Sequence, residues 1–257
     1  MTTQIVTEVA DRILRIAINR PERKNALSVD MYRALVAALE SAAADPAIRV
    51  VLLYGHPQVF TSGNDLADFI DPSVAFNEDR PMLQFLRAIS TAPKPIVAAV
   101  TGPAIGIGTT MLLHCDLVYA GETARFQLPF VNLALVPEAA SSHLLPLTIG
   151  YQRAAELLLL GEPFSAAKAR EYGIVTEVVG DAQTLETAAA AATKLAAKPP
   201  AAVRLTKMLL KQSAADVVSK RLSEEARHFA LQRQSPEAAE AFRAFFEKRA
   251  PDFSRFD

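Results

Sequence analysis

Ile96-Val97-Ala98-Ala99-Val100-Thr101-Gly102-Pro103-Ala104-Ile105-Gly106-Ile107-Gly108 begins as an apolar run of strand length and passes straight into a glycine-containing turn. A short run that is apolar at every position suits a strand covered on both faces of its sheet. The same grammar occurs earlier in the chain. Val50 to Tyr54 is a second apolar run, and Val59-Phe60-Thr61-Ser62-Gly63-Asn64-Asp65-Leu66 follows it. Each glycine turn comes after a predicted strand and before a predicted helix. Short buried strands alternating with helices argue for an α/β fold.

The flanking sequence extends the pattern. Ile13 to Ile18 reads as a strand that Asn19-Arg20-Pro21 breaks, and Ser28 is placed to cap a helix bearing Met31, Leu35 and Leu39. A helix is predicted over Pro81 to Ser90 and a further strand after Asp116. Beyond about Gly180 the chain turns rich in Ala, Leu, Lys and Glu, with no strand signal, and Pro199-Pro200 separates two helical stretches. The expected organisation is a core over residues 1–198 and a helical region over 199–257. Within the latter, Ser235 to Lys248 is amphipathic, with Phe242, Phe245 and Phe246 on or near one face. These aromatics are expected in a core or an interface rather than at a ligand.

Composition narrows the class. The 257 residues are 51% hydrophobic and 21% charged, enough for a substantial core. A net charge of -1 gives no reason to expect nucleic acid or an anionic membrane as partner. The single Cys115 excludes an internal disulfide and fits a reducing compartment. With no secretory signal or membrane-spanning run evident, a cytoplasmic protein is expected. No His, Cys and Asp set has metal-ligand spacing.

Two features carry chemistry. Backbone N–H groups at a helix start are unpaired and lie at the positive end of the helix dipole. Two of them converging on one point would form an oxyanion hole, although on spacing alone a pair of ordinary strand-to-helix turns is the better explanation, since neither is a Walker or Rossmann fingerprint. The second feature is Glu138, the one formally charged residue between Arg125 and Arg153. A carboxylate among Val136, Pro137, Ala139 and Ala140 is expected to have a raised pKa, which suits a proton shuttle. A helix beginning at Glu138 would pull that pKa down again. A structural role, as a helix cap or a satisfied core carboxylate, is the competing explanation. Asp65 is expected to brace its loop. His114-Cys115-Asp116 contains nucleophile-like types, but consecutive side chains diverge. His143 is expected to be structural.

The ordered set Asn19-Arg20-Pro21…Asn25-Ala26-Leu27, Phe60-Thr61-Ser62-Gly63-Asn64-Asp65-Leu66, Gly102-Pro103-Ala104-Ile105-Gly106, Cys115-Asp116-Leu117 and Ala169-Arg170-Glu171-Tyr172-Gly173-Ile174-Val175-Thr176-Glu177-Val178-Val179 resembles the crotonase (enoyl-CoA hydratase/isomerase) superfamily. The resemblance covers essentially the whole chain. It implies a spiral of ββα units, a C-terminal helical region used in oligomerisation, and a homotrimer or dimer of trimers. It also implies a coenzyme A thioester substrate with no metal or redox cofactor. By the same resemblance the backbone N–H groups of Asn64 and Ile107 form the oxyanion hole. Thr61, Ser62 and Leu66 line the CoA path, and Lys24 meets a CoA phosphate.

Hydratases of this superfamily use two glutamates, at positions that hold Thr110 and Phe130 here. The stretch Phe130 to Ser142, with Glu138 within it, is instead similar to the Δ3,Δ2-enoyl-CoA isomerases, which use one glutamate. The resemblance therefore implies isomerisation of a 3-enoyl-CoA by Glu138. Hydration or another acyl-CoA reaction is the alternative, and a non-catalytic RNA-binding or scaffold role is the alternative from another class. Walls that set acyl-chain length are expected from Ile70 to Leu86 and from the C-terminal helices.

Overall fold

A computed structural model describes residues 4–66 and 80–256. Six strands form the main sheet: β1 (Ile5–Ala10), β2 (Ile13–Ile18), β3 (Val50–Tyr54), β4 (Ile96–Val100), β6 (Leu117–Gly121) and β9 (Glu177–Val179), in spatial order β1-β2-β3-β4-β6-β9. β1 and β2 pair antiparallel, and every other pairing is parallel. A second, three-stranded sheet joins β5 (Pro103–Ile105), β7 (Arg125–Gln127) and β8 (Phe164–Ser165). β4 and β6 are each followed by a short strand of the second layer and then by helical structure, which produces the ββα repeat. The α/β architecture is thus the one expected.

The alternation of side chains along β2, β3 and β4 divides the core in two. Leu14, Ile16, Val51, Leu53, Ala98 and Val100 face the larger cluster, which also takes Met31, Leu35 and Leu39 from α1 (Val29–Ala44). Ile13, Val50, Leu52, Val97 and Ala99 face the other way, against Ala188, Ala191, Ala192 and Ala196 of the helix Thr184–Ala196. Small side chains let that helix lie close to the sheet. Covering both faces explains why β3 and β4 are apolar at almost every position. Ser28 caps α1 as expected, its hydroxyl accepting from the Met31 N–H at 3.4 Å.

Differences from expectation lie in the short strands. β5, β7, β8 and β9, of two or three residues each, carry no signal of their own, because each is set by its neighbours rather than by an apolar run; β1, an edge strand of six residues, is interrupted by the polar Thr7 and Glu8. Beyond Pro199 the chain forms a long helix, Pro200–Gln232, and a final helix, Pro236–Glu247. Of the final helix's aromatics only Phe242 is buried. Phe245 and Phe246 are 55% and 54% exposed.

Candidate active site

Sequence segments far apart in number become adjacent rungs of one ladder. The Ser62 N–H donates to the Lys24 carbonyl (3.0 Å), the Leu27 N–H to the Gly63 carbonyl (2.8 Å) and the Asp65 N–H to the Leu27 carbonyl (3.0 Å). On its other side the first glycine turn meets the second: the Thr61 N–H donates to the Pro103 carbonyl and the Ile105 N–H to the Thr61 carbonyl, at 3.1 and 3.0 Å. The second turn then meets β7 through the Gly106 N–H and the Gln127 carbonyl (2.9 Å). This packing explains Gly63. A Cβ there would lie 2.8 Å from the Ile105 carbonyl oxygen, at a φ of +92°. Only glycine allows the two turns to approach so closely.

The ladder leaves two donors over. Leu27 uses its bonds to Gly63 and Asp65, so the N–H of the intervening Asn64 points to the opposite side. Ile107 is the first residue of the short helix Ile107–Thr110, where an N–H has no partner within the helix. Neither N–H has a protein acceptor among the described residues. Asn64 and Ile107 line one cavity of about 800 Å³, together with Lys24, Ser62, Leu66, Phe130 and Glu138. Phe245, Phe246 and Arg249 of the C-terminal segment also line it.

Thr61 is the exception among the expected site residues. It is fully buried, its hydroxyl donates to the Asn25 carbonyl (2.7 Å) and accepts from the Gly63 N–H (3.1 Å), and it does not line the cavity. It braces the turn. Asp65 lines the cavity but is held by Arg20 in an ion pair of 2.7 Å. His114, Cys115 and Asp116 diverge as expected. The His114 ring faces the Ala139 carbonyl (2.8 Å), Asp116 pairs with Lys207 (2.7 Å), and burial pushes the Cys115 thiol up to about 12. His143 is not among the cavity's lining residues. The stretch expected to set chain length lies partly outside the described residues. Of its described part, Leu83 and Leu86 line a separate groove of about 570 Å³ against the long helix.

Glu138 is 4% exposed, and neither carboxylate oxygen has a hydrogen-bond partner among the described residues. Its pKa is raised to about 8, first by burial and then by the charge of Glu225, against the opposing pull of the Asn64 amide and the Arg80 guanidinium. No helix begins at Glu138. The next helix, Ser141–Ile149, starts three residues later, and Glu225 occupies its N-terminus by accepting from the Ala140 and Ser142 N–H groups at 2.6 and 3.0 Å. The dipole that would have lowered the Glu138 pKa is taken up by another carboxylate.

Three participants carried no sequence signal. Tyr32 donates its buried hydroxyl to the Asn64 side-chain oxygen (2.5 Å), which leaves the amide NH₂ as the end of Asn64 free to face Glu138. Burial, reinforced by the Glu138 charge, holds the Tyr32 pKa well above its ordinary value. The Asn64 side chain, as well as its backbone, is therefore part of the cavity's surroundings. Arg80, which precedes the helix Pro81–Thr91, and Glu225, within the long helix, are buried charged residues, and nothing in their local sequence sets them apart from solvated neighbours such as Glu224.

A buried carboxylate beside two unpaired N–H groups is equipped to move a proton next to a carbonyl whose oxygen gains charge. A sequence model of the enoyl-CoA hydratase/isomerase family matches residues 8–255. The chain belongs to the enoyl-CoA hydratase/isomerase family. A 2,3-dehydroadipyl-CoA hydratase of Escherichia coli is 34% identical over 253 residues, 98% of each chain. An enoyl-CoA delta isomerase 2 of Rattus norvegicus is 37% identical over 207 residues, 78% of this chain and 52% of the relative. A crystal structure of an enoyl-CoA hydratase/isomerase from Pseudoalteromonas atlantica superposes with a TM-score of 0.94 at 44% identity, covering 98% of this chain and all of that one. The protein is an enzyme of this family, and its relatives carry both hydratase and isomerase names.

Proposed function

We propose that the enzyme moves the double bond of a 3-enoyl-CoA to the 2-position. The observation that carries this reading is a buried carboxylate, Glu138, without a hydrogen-bond partner among the described residues, in a cavity whose other described acidic lining residues are the ion-paired Asp65 and the exposed Glu22. Hydration by two glutamates is disfavoured, because the corresponding positions are Thr110 and Phe130.

In this reading the thioester carbonyl accepts hydrogen bonds from the Asn64 and Ile107 N–H groups. Glu138 removes a C2 proton, and the electron pair of that C–H bond passes into a dienolate whose charge rests on the carbonyl oxygen. Reprotonation at C4 by the same carboxyl leaves the double bond between C2 and C3. Losing one oxyanion donor costs on the order of 3–4 kcal/mol in other enzymes, so the backbone donors rank beside the base. A pKa near 8 makes Glu138 a stronger base than an exposed glutamate. Lys24, Ser62 and Leu66 are proposed to follow the CoA moiety from the cavity mouth inward, with no metal or redox cofactor.

The proposed assembly is a homotrimer or dimer of trimers. Leu205, Met208, Leu209 and Leu210, each more than half exposed on the long helix, support it. The proposed setting is cytoplasmic, without nucleic-acid or membrane partners; no helix among the described residues is long and apolar enough to cross a membrane.

The test is turnover of a 3-enoyl-CoA by the purified enzyme and by Glu138→Gln. Loss of a positioned acid–base group is expected to lower kcat by roughly 10²–10⁴-fold. Full activity in the variant would sink the single-base mechanism. Rapid addition of water to crotonyl-CoA would favour a hydratase instead.

A further inference from the structure

We propose that Glu225, on the long C-terminal helix, is a positioning residue for Glu138: it clamps the turn that carries the base and sets the electrostatics in which the base works. This rests on the reading of Glu138 as the proton shuttle.

The turn after Glu138 has an unusual backbone. Ala139 and Ala140 both lie in the left-handed region, with φ of +62° and +55°. Two consecutive residues with a Cβ adopt that conformation only where surrounding contacts impose it. Those contacts come from two other elements. Glu225 accepts from the Ala140 N–H (2.6 Å), the Ser142 N–H (3.0 Å) and the Ser142 hydroxyl (2.5 Å). From the opposite side His114 reaches the Ala139 carbonyl at 2.8 Å. A carbonyl only accepts, so Nε2 carries the proton, and burial keeps the imidazole neutral with a pKa lowered to about 4. The peptide bearing the base is thus gripped by a carboxylate and an imidazole that do not line the cavity.

A purely structural cap has no need of charge at this position. A buried carboxylate 6% exposed is a costly way to hold two N–H groups. Its pKa is raised to about 7 by burial, against the three hydrogen bonds and Arg221, which itself pairs with Glu224 at 2.8 Å. Burial raises both carboxyls, and a charge on Glu225 opposes ionisation of Glu138. The groups acting on Glu138 are then Glu225 from the long helix, Asn64 and Arg80 from the facing segments, and Tyr32, whose hydroxyl stays neutral. Glu225 is the anion among them, and it strengthens the base.

The test compares Glu225→Gln and Glu225→Asp with wild type in steady-state kinetics across pH. Glu225→Gln removes the charge and keeps the shape. Its kcat is expected to fall about tenfold or more with little change in KM, as for a misplaced catalytic group. The acidic limb of its kcat profile should move about half a pH unit or more toward lower pH. Glu225→Asp keeps the charge one methylene short; kcat should fall while the limb stays in place. A Gln limb that stays at its wild-type pH, or an Asp variant with wild-type kcat, would overturn the proposal. A second readout does not need turnover. The Tm difference between Glu138→Gln and wild type is followed against pH, with and without Glu225→Gln. Its midpoint reports Glu138 ionisation and should fall in the Glu225→Gln background; coincident midpoints would refute the coupling even if 3-enoyl-CoA is not the substrate. An inactive wild type with a shifted midpoint would overturn the isomerase reading alone.

Discussion

Asn25 donates its amide to the carbonyls of Ile18, Val59 and Phe60 at 3.0–3.1 Å, and its side-chain oxygen accepts from the Arg20 N–H at 2.7 Å. It is fully buried and touches no part of the cavity. One side chain therefore ties the end of β2 to Val59 and Phe60, which lead into the first glycine turn. Asn25→Ala would leave buried polar groups unpaired, each costing about 1–3 kcal/mol, so a loss of roughly 3 kcal/mol or more is expected in urea denaturation. Glu138 shows the other use of burial. Its isolation among uncharged residues is visible in the sequence, but its unpartnered state is not. That depends on Asn64, Arg80 and Glu225 arriving from elsewhere in the chain.

Elements differ in how much of themselves they announce. α1, β3 and β4 follow from local pattern, because each has one environment repeated along its length. The long helix does not. Its buried positions are Lys207, Leu222, Glu225 and Phe229, two of them charged, so no apolar stripe marks its inner face. It is anchored instead by polar contacts: Lys207 to Asp116 (2.7 Å), Lys211 to the His114 carbonyl (3.0 Å), and Glu225 to the turn after Glu138. The final helix ends at Lys248, which is exposed with a φ of +54°. Lys248→Gly would relieve that left-handed conformation and is expected to stabilise the protein by about 1 kcal/mol, read as a higher urea midpoint at unchanged slope.

At the scale of the molecule, Glu138 and Glu225 make burial depend on pH. Both have folded pKa values raised above their ordinary ones, to about 8 and about 7. A raised carboxyl pKa means that the protonated form is preferred in the fold. The stability this represents is fully present below the unfolded pKa and is lost as pH rises through the folded value. Glu138→Gln cannot ionise, so its Tm is expected to exceed that of wild type by several degrees at pH 9. The difference should close as pH falls toward the ordinary glutamate pKa. Equal Tm values at pH 9 would show that Glu138 is not held neutral by burial.

The amino-acid sequence by itself determined the α/β class, the major buried strands, the two glycine turns and the prominence of Glu138. Each of these is a local property: an apolar run, a glycine where a turn demands one, a lone charge in a neutral stretch. Only the tertiary structure decided that residues 24–27, the first glycine turn, the second glycine turn and β7 form one hydrogen-bonded ladder, which brings Asn64 and Ile107 to the lining of a single cavity. It also decided that Thr61 is a brace, that the Asn64 side chain is held by Tyr32, and that Glu225 holds the turn after Glu138. Those roles are set by contacts between residues distant in the chain, and a buried charge acquires its meaning from the neighbours that folding supplies.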